Sequence, residues 1–251
     1  MQTLVEEIQK FLRGDVVFDE KTLVAYSRDA SLFEVKPKII VFPKDAEDLK
    51  SLVRFASEKK KTTPDLSLTV RAGGTDMSGG PLNDSIIIDV TRYFNHINDI
   101  GDLPNGDGYA VAEPGVFYRD FEKETLKKGY VLPTYPASRE LCALGGMVAN
   151  NAGGEKTMVY GKTQDFVLEL NVVLSDGNEY VLKSLNKDEF QEKTQRDDRE
   201  GEIYRQVYKL IEENFEAVKG AKPDVSKNSA GLNLWDVWDG ENFDLTKLIV
   251  G

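Results

Sequence analysis

The chain has 251 residues, 40% of them hydrophobic, enough to bury a real core in one large domain or two small ones. Its 43 acidic and 32 basic residues leave a net charge of −11 with no long basic stripe, which excludes nucleic-acid binding as a main task. One cysteine makes no internal disulfide, one histidine provides no zinc-ligand set, and no apolar run approaches the ~18 residues of a membrane span, so a reducing, cytoplasmic setting is expected.

The opening MQTLVEEIQKFL is amphipathic and carries acids, unlike a secretory signal. Thr3, Glu6 and the apolar set Leu4, Val5, Ile8, Phe11 and Leu12 predict a capped helix closed by Gly14. From Pro37, KIIVF predicts a strand, after which Asp45 caps a helix with Leu49, Leu52, Val53 and Ala56 on one face. Lys59, Lys60 and Lys61 form its solvated end, where cations suit the helix dipole. LSLTV and SIIIDV predict two further strands on either side of a glycine-rich loop. Runs that are apolar on both faces imply buried strands in a small sheet flanked by helices.

His96 follows, in TRYFNHI, with a surface or capping role. The polar DIGDLPNGDG predicts a loop before the strand-like YAVAEP, and the change of character near Asn95 divides the chain into subdomains 1–95 and 96–251. Tyr118 to Lys128 has helical spacing and ends at Gly129, before the turn-rich VLPTYPAS. DFVLELNVVLSDGNEYVL predicts a hairpin turning at Asp176 and Gly177. GEIYRQVYKLIEENF predicts an amphipathic helix with Ile203, Val207, Leu210, Ile211 and Phe215 on one face. The second subdomain is therefore expected to be mainly antiparallel sheet plus helices.

Chemistry concentrates in two stretches. In RAGGTDMSGGP, Arg71 to Pro81, four glycines and small polar residues follow directly on a buried strand. Such a loop lets backbone amides converge on an anion such as a pyrophosphate. It is no P-loop, because Gly80 and Pro81 stand where that motif needs Lys and Ser or Thr, and GxGxxG is absent, which disfavours ATP hydrolysis and a nicotinamide Rossmann domain. The second stretch is PTYPASRELCALGGMVANNAGG, Pro133 to Gly154. There Gly145, Gly146, Ala149 and Ala152 would let backbone approach a flat ring system, with Ser138, Asn150 and Asn151 supplying hydrogen bonds. The same residues also suit a tight helix-packing interface, and the stretch alone does not separate the two readings.

Together, IIVFPKDAEDLKSLVRFA, VRAGGTDMSGG, ALGGMVANNAGG, YGKTQDFVLELNVVLSDG and KNSAGLNL resemble the FAD-linked oxidases with a vanillyl-alcohol-oxidase or PCMH-type flavin domain. The similarity runs from about Pro37 to Gly251, and within that family it points to the D-lactate and glycolate dehydrogenase branch. It implies an α+β fold, two α/β subdomains with FAD between them. It places the FAD pyrophosphate on the amides of Ala72, Gly73, Gly74, Thr75 and Asp76, and further cofactor contacts at Ser138, Gly145, Gly146, Gly153 and Val250. Asn150 joins this set through its side-chain amide. Larger residues at Gly73, Gly74 or Gly146 are expected to abolish FAD binding by steric block. Relatives with covalent flavin carry a histidine where Thr75 stands, so attachment is expected to be non-covalent; Cys142, near the glycines, reads as a buried, inert thiol.

The resemblance further implies a whole protein that oxidises a D-2-hydroxy acid by hydride transfer to FAD and passes the electrons to an acceptor of unknown identity. In that branch a separate cap domain supplies the acid-binding arginines and, in some members, a His-ligated metal. LTKLIVG closes this chain where the family continues with a Ser-Glu-Gly-Thr-type loop, so the expectation is a fragment that is inactive alone, with no metal site, and the resemblance points to no catalytic residue within it. Two alternatives stay open: an NADPH-dependent reductase of the UDP-N-acetylenolpyruvylglucosamine reductase type, and a non-catalytic flavin- or nucleotide-binding module.

Overall fold

A computed structural model describes residues 2–225, 228 and 231–251. In chain order, α1 (Gln2–Gln9), β1 (Asp15–Val17), α2 (Glu20–Ala25), β2 (Ile39–Phe42), α3 (Ala46–Lys59), β3 (Leu68–Arg71) and β4 (Ile86–Asp89) build a four-stranded sheet with its helices. The strand order is β1-β2-β4-β3, with β1 antiparallel to β2 and the other pairs parallel. All residues of β2 and β4 are buried. Ile39, Val41, Ile86 and Ile88 pack toward Val5, Ile8, Leu12 and Leu52, while Ile40, Phe42 and Ile87 pack with Leu23 on the opposite face. Two covered faces are what make these strands read as unbroken apolar runs.

Asp45 caps α3 as expected, its carboxylate accepting from the amides of Glu47 and Asp48. Asp48 is 1% exposed and accepts from the amides of Arg13, Gly14 and Lys44 and from Arg13 Nε, which ties the entry to β1 onto α3. Burial pushes the Asp48 pKa up, but these donors outweigh it and hold the carboxyl below its ordinary value. β1 and α2 are too short to show a period in the sequence. Gly14 lets the chain lie against β2, since a Cβ there would fall 1.9 Å from the Phe42 carbonyl oxygen.

The second half begins with β5 (Ile97–Asp102) and β6 (Gly108–Ala112), an antiparallel pair with an irregularity between Ile97 and Asp99. The INDIGD segment is thus a strand, and the expected loop shrinks to residues 103–107. β5 mixes partly buried and exposed positions without a period and has no apolar run, so it is invisible to a reading based on buried strands. Then come α4 (Tyr118–Leu126), α5 (Leu144–Ala149), α6 (Thr157–Tyr160), β7 (Glu169–Val173), β8 (Glu179–Leu185), α7 (Lys187–Gln195), α8 (Arg199–Glu213), α9 (Phe215–Gly220), β9 (Phe243–Asp244) and α10 (Thr246–Ile249). β7-β8-β9 form an antiparallel sheet.

Antiparallel pairing is therefore divided between two sheets, because each covers its own core. Ile97, Ala110 and Ala112 pack on a cluster of Val116, Tyr118, Phe121, Tyr135, Cys142 and Met147. Leu182, Leu185, Phe190, Tyr204, Ile211 and Phe243 form another. In α8 the buried residues include Tyr204 and Ile211, whereas Leu210 in α8 and Phe215 at the start of α9, both expected inside, are 50% and 45% exposed. Tyr204 turns the inward face because its ring outweighs its hydroxyl in buried area.

The β7–β8 hairpin turns through Leu174–Gly177 with Gly177 at φ 72°. Its tip docks on α3, where Arg54 Nη2 donates to Asn178 Oδ1 (2.9 Å) and Ser57 Oγ to the Ser175 carbonyl (3.0 Å). Among the described residues no helix is long and apolar enough to cross a membrane. Within KNSAGLNL, Lys227, Ser229 and Ala230 lie outside the described residues.

Candidate functional site

The loop 72–80 leaves the sheet at the carboxyl end of β3, the edge at which open α/β sheets place ligands. Asp76 organises it. Its Oδ2 accepts from the Ser78 amide (2.9 Å), the Ser78 hydroxyl (2.7 Å) and the Gly80 amide (2.8 Å), and its carbonyl accepts from the Ala30 amide. Gly74 takes φ 64°, and a Cβ there would strike the Arg71 guanidinium. Among the described residues, the amides of Ala72, Gly73, Gly74, Thr75 and Asp76 donate to no protein group. Five successive unpartnered donors in a half-buried loop are the groups from which an anion nest is built. At the foot of the loop, Arg71 Nη2 donates to the Arg28 carbonyl (2.8 Å) and the guanidinium lies 5.2 Å from the Tyr26 ring centre, while the buried Nη1 has no partner among the described residues.

The second glycine-rich stretch lies against this loop. A Cβ on Gly73 would come 2.4 Å from the Leu141 carbonyl oxygen, so that glycine lets the two segments touch. Gly145 similarly abuts Pro114, whose carbonyl accepts its amide at 2.8 Å. Gly146 differs: the nearest atom to an added Cβ is the Ala72 Cβ, at 3.8 Å, which leaves open space beside the loop. Asn150 Nδ2 donates to Asp76 Oδ1 at 2.7 Å. Asn151, at φ 41°, exchanges two hydrogen bonds with Gln164, which also accepts from Asn233 Nδ2 and, through its carbonyl, from Lys247 Nζ.

The structure thus brings Ala72–Asp76, Gly146 and Asn150 together, while the remaining expected residues engage other segments. The Ser138 carbonyl accepts the amides of Leu141 and Cys142. Gly153 faces Thr157 and Lys162, with Thr157 Oγ1 only 2.4 Å from an added Cβ. Val250 is fully buried at the end of α10, and a Cβ on the next residue, Gly251, would lie 3.4 Å from that of Asn151. Cys142 is 3% exposed within its core, and burial pushes its thiol pKa up. His96 is exposed and pairs with Glu113 through Nδ1 at 2.8 Å. Sequence reasoning missed Arg71 and Gln164 as parts of the site. Both stand inside the stretches that carry the resemblance, but nothing in the sequence shows which partners they meet.

Residues 37–183 match a family model described as an FAD binding domain. The chain belongs to the FAD binding domain family. This flavin domain is 28% identical over 250 residues to D-2-hydroxyglutarate dehydrogenase of Escherichia coli (strain K12), covering 99% of this chain and 24% of that protein. It is 30% identical over 162 residues to D-lactate dehydrogenase of Archaeoglobus fulgidus, covering 64% and 33%. The solved structure of alkyldihydroxyacetonephosphate synthase shares its fold, with a TM-score of 0.60 at 22% identity over 73% of this chain and 35% of that one. The flavin domain spans about a quarter of the bacterial dehydrogenase it matches.

Proposed function

We propose that FAD binds non-covalently between the subdomains 1–95 and 96–251, and that the whole protein oxidises a D-2-hydroxy acid. The pyrophosphate would rest on the amides of Ala72–Asp76 and the ring system beside Gly146. The observation that carries this reading is the run of five unpartnered amides next to the site glycine that no protein atom crowds. In a chain of net charge −11, such donors bind an anion without a cluster of side-chain cations. Arg71 Nη1 adds a charged donor at the foot of the loop. Ser138, Gly145, Gly153 and Val250 are assigned to the periphery of the same site. Thr75 offers no imidazole nitrogen, and the buried Cys142 favours its thiol form, both of which support non-covalent attachment.

Bound FAD supplies the hydride acceptor. The residues of this chain bind and orient it, and the close packing of Gly73 on Leu141 and of Gly145 on Pro114 fixes the two segments that would do so. The substrate class is supported by the relatives, which are named for D-2-hydroxyglutarate and D-lactate. The base for the hydroxyl proton, the cation for the substrate carboxylate and the route to an electron acceptor are assigned to other parts of the whole protein. A single cysteine, buried in a core, supports a reducing, cytoplasmic location.

The test is a visible spectrum of the whole protein reconstituted with FAD, recorded anaerobically before and after D-2-hydroxyglutarate or D-lactate. Flavin bands that bleach, and flavin that stays in solution when the protein is precipitated by acid, are the expected results. Bleaching by NADPH and by neither acid would replace the dehydrogenase with a reductase. No flavin bands after reconstitution would remove the cofactor reading.

A further inference from the structure

Asp76 sits in a place that electrostatics alone would not choose. Burial pushes its pKa up, but hydrogen bonds from Asn150, from the Ser78 hydroxyl and amide and from the Gly80 amide hold it far below the usual carboxylate range, so it is ionised at any physiological pH. An anion this close to the amides that would carry a pyrophosphate opposes the binding of another. Its retention has to be offset by geometry. Oδ2 turns the amides of Ser78 and Gly80 inward, and these bonds separate them from the free amides of residues 72–76. Oδ1 meets Asn150, the residue that ends α5, four positions after Gly146. The neighbouring Asn151 is locked by its paired hydrogen bonds to Gln164, so Asn150 is presented from a fixed backbone.

We propose that the side chains of Asp76 and Asn150 form a clasp that sets the spacing between the loop amides and the open face at Gly146, acting as positioning groups for FAD rather than as its ligands. The inference rests on the FAD reading above. A clasp needs one carboxylate and one amide but is indifferent to which side carries which, whereas a direct ligand of the cofactor is not.

The experiment compares the wild-type full chain with Asn150→Ala, Asn150→Asp and the exchanged pair Asp76→Asn/Asn150→Asp. FAD affinity is read by flavin fluorescence titration, and order in the cofactor-free chain by amide hydrogen exchange over residues 72–80. Asn150→Ala is expected to raise the Kd for FAD about tenfold, the loss of one charge-assisted hydrogen bond, and to speed exchange at Ser78 and Gly80. Asn150→Asp opposes two carboxylates and should be worse on both readouts. The exchanged pair should return the Kd to within about threefold of wild type and slow the exchange again. An Asn150→Ala chain with wild-type Kd and exchange, or an exchanged pair no better than Asn150→Asp, overturns the clasp alone. A wild-type chain that binds no FAD overturns the cofactor reading and this role with it.

Discussion

An added Cβ would touch the Leu141 carbonyl oxygen at Gly73 but only the Ala72 methyl at Gly146, so two glycines of one site are needed for different reasons. At Gly73 the neighbour is backbone and cannot yield. Gly73→Ala is therefore expected to destabilise the cofactor-free chain by ~1–3 kcal/mol, the usual cost of overpacking, and to lose FAD affinity as a consequence. At Gly146 an added Cβ meets only the Ala72 Cβ, at an ordinary contact distance of 3.8 Å. Gly146→Leu should leave the cofactor-free Tm within a degree or two of wild type while abolishing FAD binding. Thermal melts without FAD, set beside FAD titrations, separate the two cases; a large fall in Tm for Gly146→Leu would show that the space is filled by protein in solution. Of the three glycines at which the sequence predicts steric block of the ligand, Gly73, Gly74 and Gly146, a block free of any clash with protein is thus expected at Gly146, whereas at Gly73 the clash with the Leu141 carbonyl is expected to come first.

Elements hold the site by docking at a few points. The β7–β8 hairpin reaches α3 through Arg54, Ser57, Ser175 and Asn178, which links the second half to the helix behind the four-stranded sheet. Gly177 makes this possible, since it takes φ 72° and a Cβ would meet Arg54 Cγ at 2.3 Å and the Lys50 carbonyl oxygen at 2.9 Å. Gly177→Ala is expected to cost ~1–3 kcal/mol through left-handed strain, before any effect of the clash. At ~2–4 °C per kcal/mol for a chain of this size, the Tm should fall by roughly 2–12 °C. Differential scanning calorimetry checks this, and an unchanged Tm would mean that the hairpin tip does not contribute to docking. The hairpin was legible because an Asp-Gly pair between apolar alternations specifies a tight turn. Its landing place on α3, more than a hundred residues earlier in the chain, was not.

At the scale of the whole molecule, a net charge of −11 opposes the approach of any phosphate-bearing ligand. The amides of residues 72–76 attract an anion only at short range. FAD association should therefore speed up as salt shortens the Debye length from ~30 Å at 0.01 M to ~8 Å at 0.15 M. A gain of roughly two- to threefold is expected in stopped-flow fluorescence. An association rate that falls with salt would instead show that local cations such as Arg71 dominate the encounter.

The buried strands β2 and β4, the Asp45 cap, the hairpin and both glycine-rich stretches were legible in the amino-acid sequence because each is decided within a few residues, by hydrophobic period, side-chain capping or the conformational freedom of glycine, whereas β3, expected to be buried, is an edge strand with Val70 58% exposed. The same local signals missed β5, whose polar ribbon has no apolar run, and misplaced Leu210 and Phe215, because burial of a helix face is settled by what packs against it. Tertiary structure alone decided how the site residues divide their work. It joined Asp76 to Asn150 and Asn151 to Gln164, giving protein partners to two asparagines that the sequence offered as ligand contacts, and it left Gly146 open while closing Gly73, Gly145 and Gly153 against protein. A residue's type states which bonds it can make; which partner takes them depends on segments far apart in the chain coming within ~3 Å.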